Sequence, residues 1–375
     1  MRKLTNKLTV AMLALAANTS FAQTVWDFTD ASVWQDKTFM SGSYDATGGE
    51  SGSAKATFTF DEGTVAYDNG IKITATGSTS SNYIQPGMPA NGYISALVKL
   101  TGDETKTSLA YKYGSKTYTA EASGKYICVS NPNNNSKAAA GCWLYASALA
   151  DGGSIVVEKI ARHTTASEAS LEIGSTGIAT LYPATVVTIK DPSAFKAYVI
   201  KSIDNGVALL EEVQSDQKLA GFQGYIIKGT ANSTCSLSIA RGAAELDTDN
   251  MLKGSVAATT VNSDASTNRY FLAADAEGNV AFKKVATDTE SGSRKAWLEV
   301  PNTVSGAKNI SLCFPDGETT GIVGALLRSA TAEGISSVKT ENTCSDGLYY
   351  GLDGVGRKQP SKGINIINGK KVIMK

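Results

Sequence analysis

The chain has 375 residues, with 35 basic and 35 acidic side chains, one histidine and five cysteines. That balance leaves no electrostatic footprint for nucleic acid or an anionic membrane, and one histidine without any Cys-x-x-Cys spacing excludes an ordinary zinc site. Only 19% of residues are charged, and long amphipathic helical patterns are missing. Short alternating runs broken by Gly, Asn, Asp and Ser point instead to an all-β chain.

Residues 1–22 carry Arg2, Lys3 and Lys7 ahead of the apolar run Leu8–Ala17. Ser20-Phe21-Ala22 then puts small residues at −3 and −1 of a cleavage site before Gln23. This reads as a secretory signal peptide, removed after Ala22. The run is about half the ~20 apolar residues of a membrane helix, and no other stretch is apolar enough to be a transmembrane segment. Cleavage removes three bases and no acid, leaving the mature chain with three more acids than bases. The expected location is secreted or outer cell surface, where disulfides are permitted.

Residues 23–163 predict a β-sandwich. Val25–Phe28 is the first strand, and Ala56–Phe60, Ile71–Ala75 and Tyr93–Leu100 follow with partial period-two alternation. Thr107–Tyr113, Lys116–Ala120, Lys125–Val129 and Gly153–Ile160 complete the unit. Trp26 shares a face with Phe28 and belongs to the core. Trp34 and Tyr83 fall in loops, and Tyr111 and Tyr113 share a strand face. Exposed aromatics stack on sugar rings, so Trp34, Tyr83, Tyr111 and Tyr113 are the candidate glycan-binding residues. Cys128 and Cys142 lie on neighbouring strand-like runs and form the expected disulfide. The opening WDFTDASVW and the closing IVVEKIA resemble the noncatalytic jelly-roll modules found beside glycan-degrading enzymes in secreted bacterial proteins.

Residues 168–316 predict a second β-rich domain with hairpin turns at Asp204-Asn205-Gly206 and Glu277-Gly278-Asn279. Cys235 and Cys313 alternate with apolar residues and read as small core residues. The runs Gly177–Tyr182, Gly224–Gly229, Tyr270–Leu272 and Lys295–Leu298 resemble a β-rich domain recurrent in secreted bacteroidal-type proteins. That resemblance implies a stalk or assembly role. Residues 317–345 read as a linker and residues 346–375 as a small C-terminal β tail. Ile335–Val338, Leu348–Gly354 and Lys362–Lys371 resemble type IX secretion C-terminal sorting domains, which implies the secretion machinery as a partner.

Catalysis needs a nucleophile, base or metal held in mutual reach. His163 ends the last sandwich strand and reads as a surface or interface residue, and no G-x-S-x-G elbow occurs. Asp61-Glu62, Asp103-Glu104 and Glu211-Glu212 are adjacent pairs, which a strand points to opposite faces, so they read as turn or edge charges. Asp247-Thr248-Asp249-Asn250 lacks the Gly and Glu of an EF-hand loop. The expectation is therefore two consecutive β-sandwich-like domains that are not an enzyme and use no cofactor and no metal. The N-terminal sandwich would bind a polysaccharide or host glycan. The alternatives are a structural or adhesive surface subunit, favoured by long free strand edges or a large apolar patch, and then a carboxylate-dependent glycoside hydrolase or lyase, which needs two carboxyls facing each other in a cleft.

Overall fold

The computed structural model describes residues 23–37, 39, 41–49, 55–60, 65–74, 82–102, 107–111, 116–119, 124–133, 144–148, 153–164, 168–214, 216–275, 278–285, 288–304 and 307–320, and tail strands within 349–374. The signal segment and residues 321–345 of the expected linker lie outside them. The fold is all-β, with one short helix among the described residues. Residues 1–324 form one compact unit and residues 325–375 another.

The first region contains β1 (Gln23–Asp27), α1 (Ala31–Trp34), β2 (Gly42–Tyr44), β3 (Ala56–Thr59), β4 (Val65–Tyr67) and β5 (Ile71–Thr74). It continues with β6 (Tyr83–Pro86), β7 (Tyr93–Gly102), β8 (Thr107–Tyr111), β9 (Lys116–Thr119), β10 (Tyr126–Pro132), β11 (Leu144–Ala148) and β12 (Gly153–His163). Two antiparallel sheets face each other. One runs β10-β7-β12-β5-β4, with β1 beside β5 on the same edge of β12; the other runs β2-β3-β6-β11-β8-β9. Because strand side chains alternate, Trp26 and Phe28 enter the core between the sheets, with Ile73, Ile84, Val98 and Ile160.

Strands β7, β10 and β12 of this sandwich are buried on both faces. Ile94, Ala96, Val98 and Leu100 of β7 fill the interior, yet Ser95 and Leu97, pointing the other way, are buried as well. On β10, Ile127 and Val129 face inward while Cys128 is fully buried on the outer side. Such strands read as nearly unbroken apolar or small runs, which is how YISALVKL and YICV appear. What covers their outer face is the second region.

That region contains β13 (Glu168–Ile173), β14 (Ile178–Leu181), β15 (Val187–Ile189), β16 (Lys196–Asp204), β17 (Val207–Val213), β18 (Tyr225–Lys228) and β19 (Ser233–Ile239). Then come β20 (Gly242–Glu245), β21 (Leu252–Ser255), β22 (Thr259–Val261), β23 (Thr267–Ala274), β24 (Val280–Lys284), β25 (Thr289–Ser291), β26 (Lys295–Pro301) and β27 (Asn309–Cys313). A nine-stranded sheet, β14-β18-β16-β17-β27-β24-β23-β26-β21, curls back on itself. At the closure Tyr182 N donates to Arg294 O at 2.8 Å and Ala296 N to Thr180 Oγ1 at 3.3 Å. Tyr198, Ile226, Tyr270, Phe282, Leu298 and Phe314 fill the enclosed core. The sheet β13-β19-β15 packs outside it, over Leu181, Ala197 and Ile227. The expected hairpin at Asp204-Asn205-Gly206 joins β16 to β17, with φ +49° at Asn205 and +80° at Gly206. Two successive left-handed residues match the twist of the flanking strands.

The two regions are not beads on a string. β20 pairs antiparallel with β10, from Ile127↔Glu245 to Ser130↔Gly242, so the first sandwich's sheet is completed by a strand from the second region. Residues 318 and 320, which the sequence assigns to the linker, bond back to the end of the second region: Phe314 N donates to Glu318 O at 2.8 Å and Leu312 N to Thr320 Oγ1 at 3.1 Å. In the tail unit, β28 (Tyr349–Tyr350), β29 (Gly356–Arg357), β30 (Gly363–Ile367) and β31 (Lys370–Met374) form an antiparallel sheet in the order β29-β28-β30-β31.

Candidate functional site at the junction of the two β regions

Of the four aromatics expected to form a glycan site, the described residues include the side chains of Trp34 and Tyr83. Trp34 is a core residue, 1% exposed. Asp30 caps α1 by accepting from Ser32 N at 3.0 Å, and the short helix turns the indole onto Phe28, edge to face with ring centres 4.9 Å apart. The sequence reading missed this because four residues of helix carry no periodic signal. Tyr83 is half-buried on β6. Tyr111 is registered against Leu144, which is registered against Ile84, one position along from Tyr83. The Tyr111 side chain and all of Tyr113 lie outside the described residues.

The expected Cys128–Cys142 bridge is corrected. Cys128 is a free thiol, and it sits on the outer face of β10, turned away from the sheet that contains β11. Cys142 lies outside the described residues. Burial pushes the Cys128 thiol up to about 12, which makes it unreactive at neutral pH. Cys235 is a free, fully buried core residue as expected, whereas Cys313 is half-buried.

What the tertiary structure does assemble is the seam where β7, β10 and β12 meet the second region. Leu97, Cys128 and Ala161 pack there against Tyr182, Ala184, Phe222, Val256 and Ala296. Polar clasps cross it: Ser95 Oγ donates to Ala184 O, Ser130 Oγ and Thr185 Oγ1 share a hydrogen bond at 2.6 Å, and an Arg241 guanidinium nitrogen donates to Pro132 O at 3.0 Å. Two bulky residues of the seam, Phe222 and Arg294, hold left-handed φ values of +60° and +58°. Such conformations cost energy and persist only where the surroundings over-determine them.

At one end of the seam lies His163, 3% exposed. Its ring stacks on Tyr93 at 4.1 Å between centroids and 21° between planes, and Nε2 has no hydrogen-bond partner among the described residues. Burial, then the neighbouring Arg294 guanidinium, hold the imidazole down to about 3, so at neutral pH it is uncharged. Arg294 has no carboxylate partner among the described residues. At the other end stand Asp27 and Glu158. Burial opposes ionisation of Asp27, but Lys159 at 2.5 Å and the Thr29 donors hold its carboxyl below the usual range. Glu158 sits at a bulge in β12 and burial raises it, despite a hydrogen bond from Tyr126 and the nearby Lys159. No sequence signal marked Tyr93, Tyr126, Glu158 or Arg294, because they meet only when distant strands do.

The carboxylates of the second region that the sequence singles out, Glu211, Glu212 and Asp247, form local ion pairs. Glu211 pairs with Lys201 at 3.1 Å and Glu212 with Lys196 at 3.0 Å, along a shallow surface groove of about 570 Å³. Both lie on β17 rather than in a turn. Asp247 pairs with Lys201 at 3.1 Å, and buried Asn250 Oδ1 accepts from Leu252 N at 3.1 Å and Ile200 N at 3.3 Å, so those side-chain oxygens serve the fold. Among the described residues no group of three or more His, Cys, Asp or Glu side chains is placed to hold a metal ion. Asp61-Glu62 and Asp103-Glu104 lie outside them. No protein-family model, curated protein or solved structure matches this chain.

Proposed function

We propose that this chain is an exported, noncatalytic surface protein with a structural or adhesive role, in which residues 23–320 act as one stiff β body and residues 346–375 serve export. The observation that carries the structural part is the shared β10–β20 pairing with its apolar seam. Burying a sheet face between two regions suits a load-bearing arm better than two independent binding modules. The core placement of Trp34 removes one member of the aromatic set on which glycan binding rested. Export is supported by the signal-like residues 1–22 and by the tail's separate sheet, compact by itself in residues 325–375.

Surface labelling of cells that make the full-length chain, beside a variant truncated after residue 345, tests the export part. Label on the full chain and its loss on truncation are expected; equal surface signal from both would overturn the tail's role. For the structural part, the mature protein is passed over a polysaccharide panel. Firm retention on one glycan class would replace the structural reading with that of a binding module.

A further inference from the structure

The sole histidine is placed where a proton has no acceptable home. His163 is buried in the seam, its Nε2 lacks a partner among the described residues, and its ring stacks on Tyr93 within the electrostatic reach of Arg294. We propose that the junction is an acid-sensitive clasp: protonation of His163 loosens the contact between the outer face of the first sandwich and the 292–295 turn of the second region.

The charged and titratable groups around the ring favour this outcome. From β7 it meets the Tyr93 phenol. The turn preceding β26 supplies the Arg294 guanidinium, and the next residue, Lys295 at the start of β26, adds a second cation beside Arg294. Gln23 of β1, in register with His163, and Pro132 of β10, in register with Tyr93, carry no charge. On its own strand Arg162 donates to Gly87 O. The acids of this sheet face, Glu158 of β12 and Asp27 of β1 in register with Lys159, lie four or more residues away, about 13 Å along a strand, and Asp27 is held by Lys159. A protonated His163 in the closed seam would therefore meet the Arg294 cation and, among the described residues, no acid, whereas in the open seam water would solvate it. Population shift then follows from differential proton affinity of the two states.

Cys128 provides the readout, because it lies in the same seam, while Cys235 lies in the separate core under β13 and β19. The mature protein is labelled with dithiodipyridine, which reacts with thiols in acid, and sites are mapped by mass spectrometry. The Cys128 rate is expressed relative to Cys235, which cancels intrinsic reactivity and reports global unfolding. The ratio is expected to rise about a hundredfold from pH 7 to pH 4.5, and to stay flat in His163→Gln. Arg294→Gln, which spares the ring, is expected to shrink the rise. A constant ratio in the natural protein, or an undiminished rise in His163→Gln, would overturn the clasp. Should His163→Gln not fold, hydrogen exchange of the natural protein decides: loss of protection with acid must appear at residues 93–95 and 128–130 before residues 235–237, and simultaneous loss would overturn the proposal.

Discussion

Trp34 shows how one side chain's fate changes a functional reading. Sequence spacing leaves it in a loop, available to a sugar; the Asp30 cap and one helical turn put it against Phe28 instead. Trp34→Ala is expected to lower unfolding stability by about 3–5 kcal/mol, read as a shift of the urea midpoint at constant slope. A surface aromatic would move it by only a few tenths of a kcal/mol. Glu158 makes the opposite case, a buried acid whose neutral form the fold prefers. Its native affinity for a proton exceeds the unfolded value of 4.5, so the native state loses stability as pH rises from 4.5 through the raised native value. Glu158→Gln should therefore be more stable than the natural chain at pH 7, and the gain should vanish below pH 4.5. Chemical denaturation at the two pH values would show it.

At the level of elements, the decisive fact is that β7, β10 and β12 are covered on both faces. Gly221 shows how tight that cover is: a Cβ there would sit 2.7 Å from Thr185 N and 2.8 Å from Cys128 Sγ. Gly221→Ala is expected to destabilise by about 1–3 kcal/mol through overpacking, with hydrogen exchange rising in residues 126–132 and 242–245. Unchanged exchange in those two strands would mean that the seam has slack which the packing does not suggest. Gly92 is constrained in the same way by the His163 carbonyl, 2.0 Å from a Cβ placed there. The strands themselves were legible: WDF alternation, IKIT and the Asn205-Gly206 hairpin all stand where pattern and turn chemistry put them. The pairing of β20 with β10 was not, since GAAE has neither the length nor the apolar alternation of a strand signal and gains its partner from a residue more than a hundred positions earlier.

For the whole molecule, the seam predicts one cooperative body from two sequence regions. Calorimetry of the mature chain should show residues 23–320 melting in a single transition, because separating the regions uncovers Leu97, Cys128, Ala161 and Phe222 together. A fragment of residues 23–163 alone should bind hydrophobic dyes and aggregate, having lost both its strand partner and its cover. Two well-separated transitions, or a soluble dye-silent fragment, would count against a single body. By itself the sequence determined the class and the rhythm of this protein: an all-β chain, with its first strand, hairpins and core aromatics such as Trp26 set by period-two patterning and turn residues, which act over a few neighbours. Only the tertiary structure decided which polar groups meet. His163 beside Tyr93 and Arg294, Cys128 as a buried thiol and Asp27 near Glu158 arise from pairings across large sequence separations, and no local pattern encodes a contact whose partner lies on another sheet.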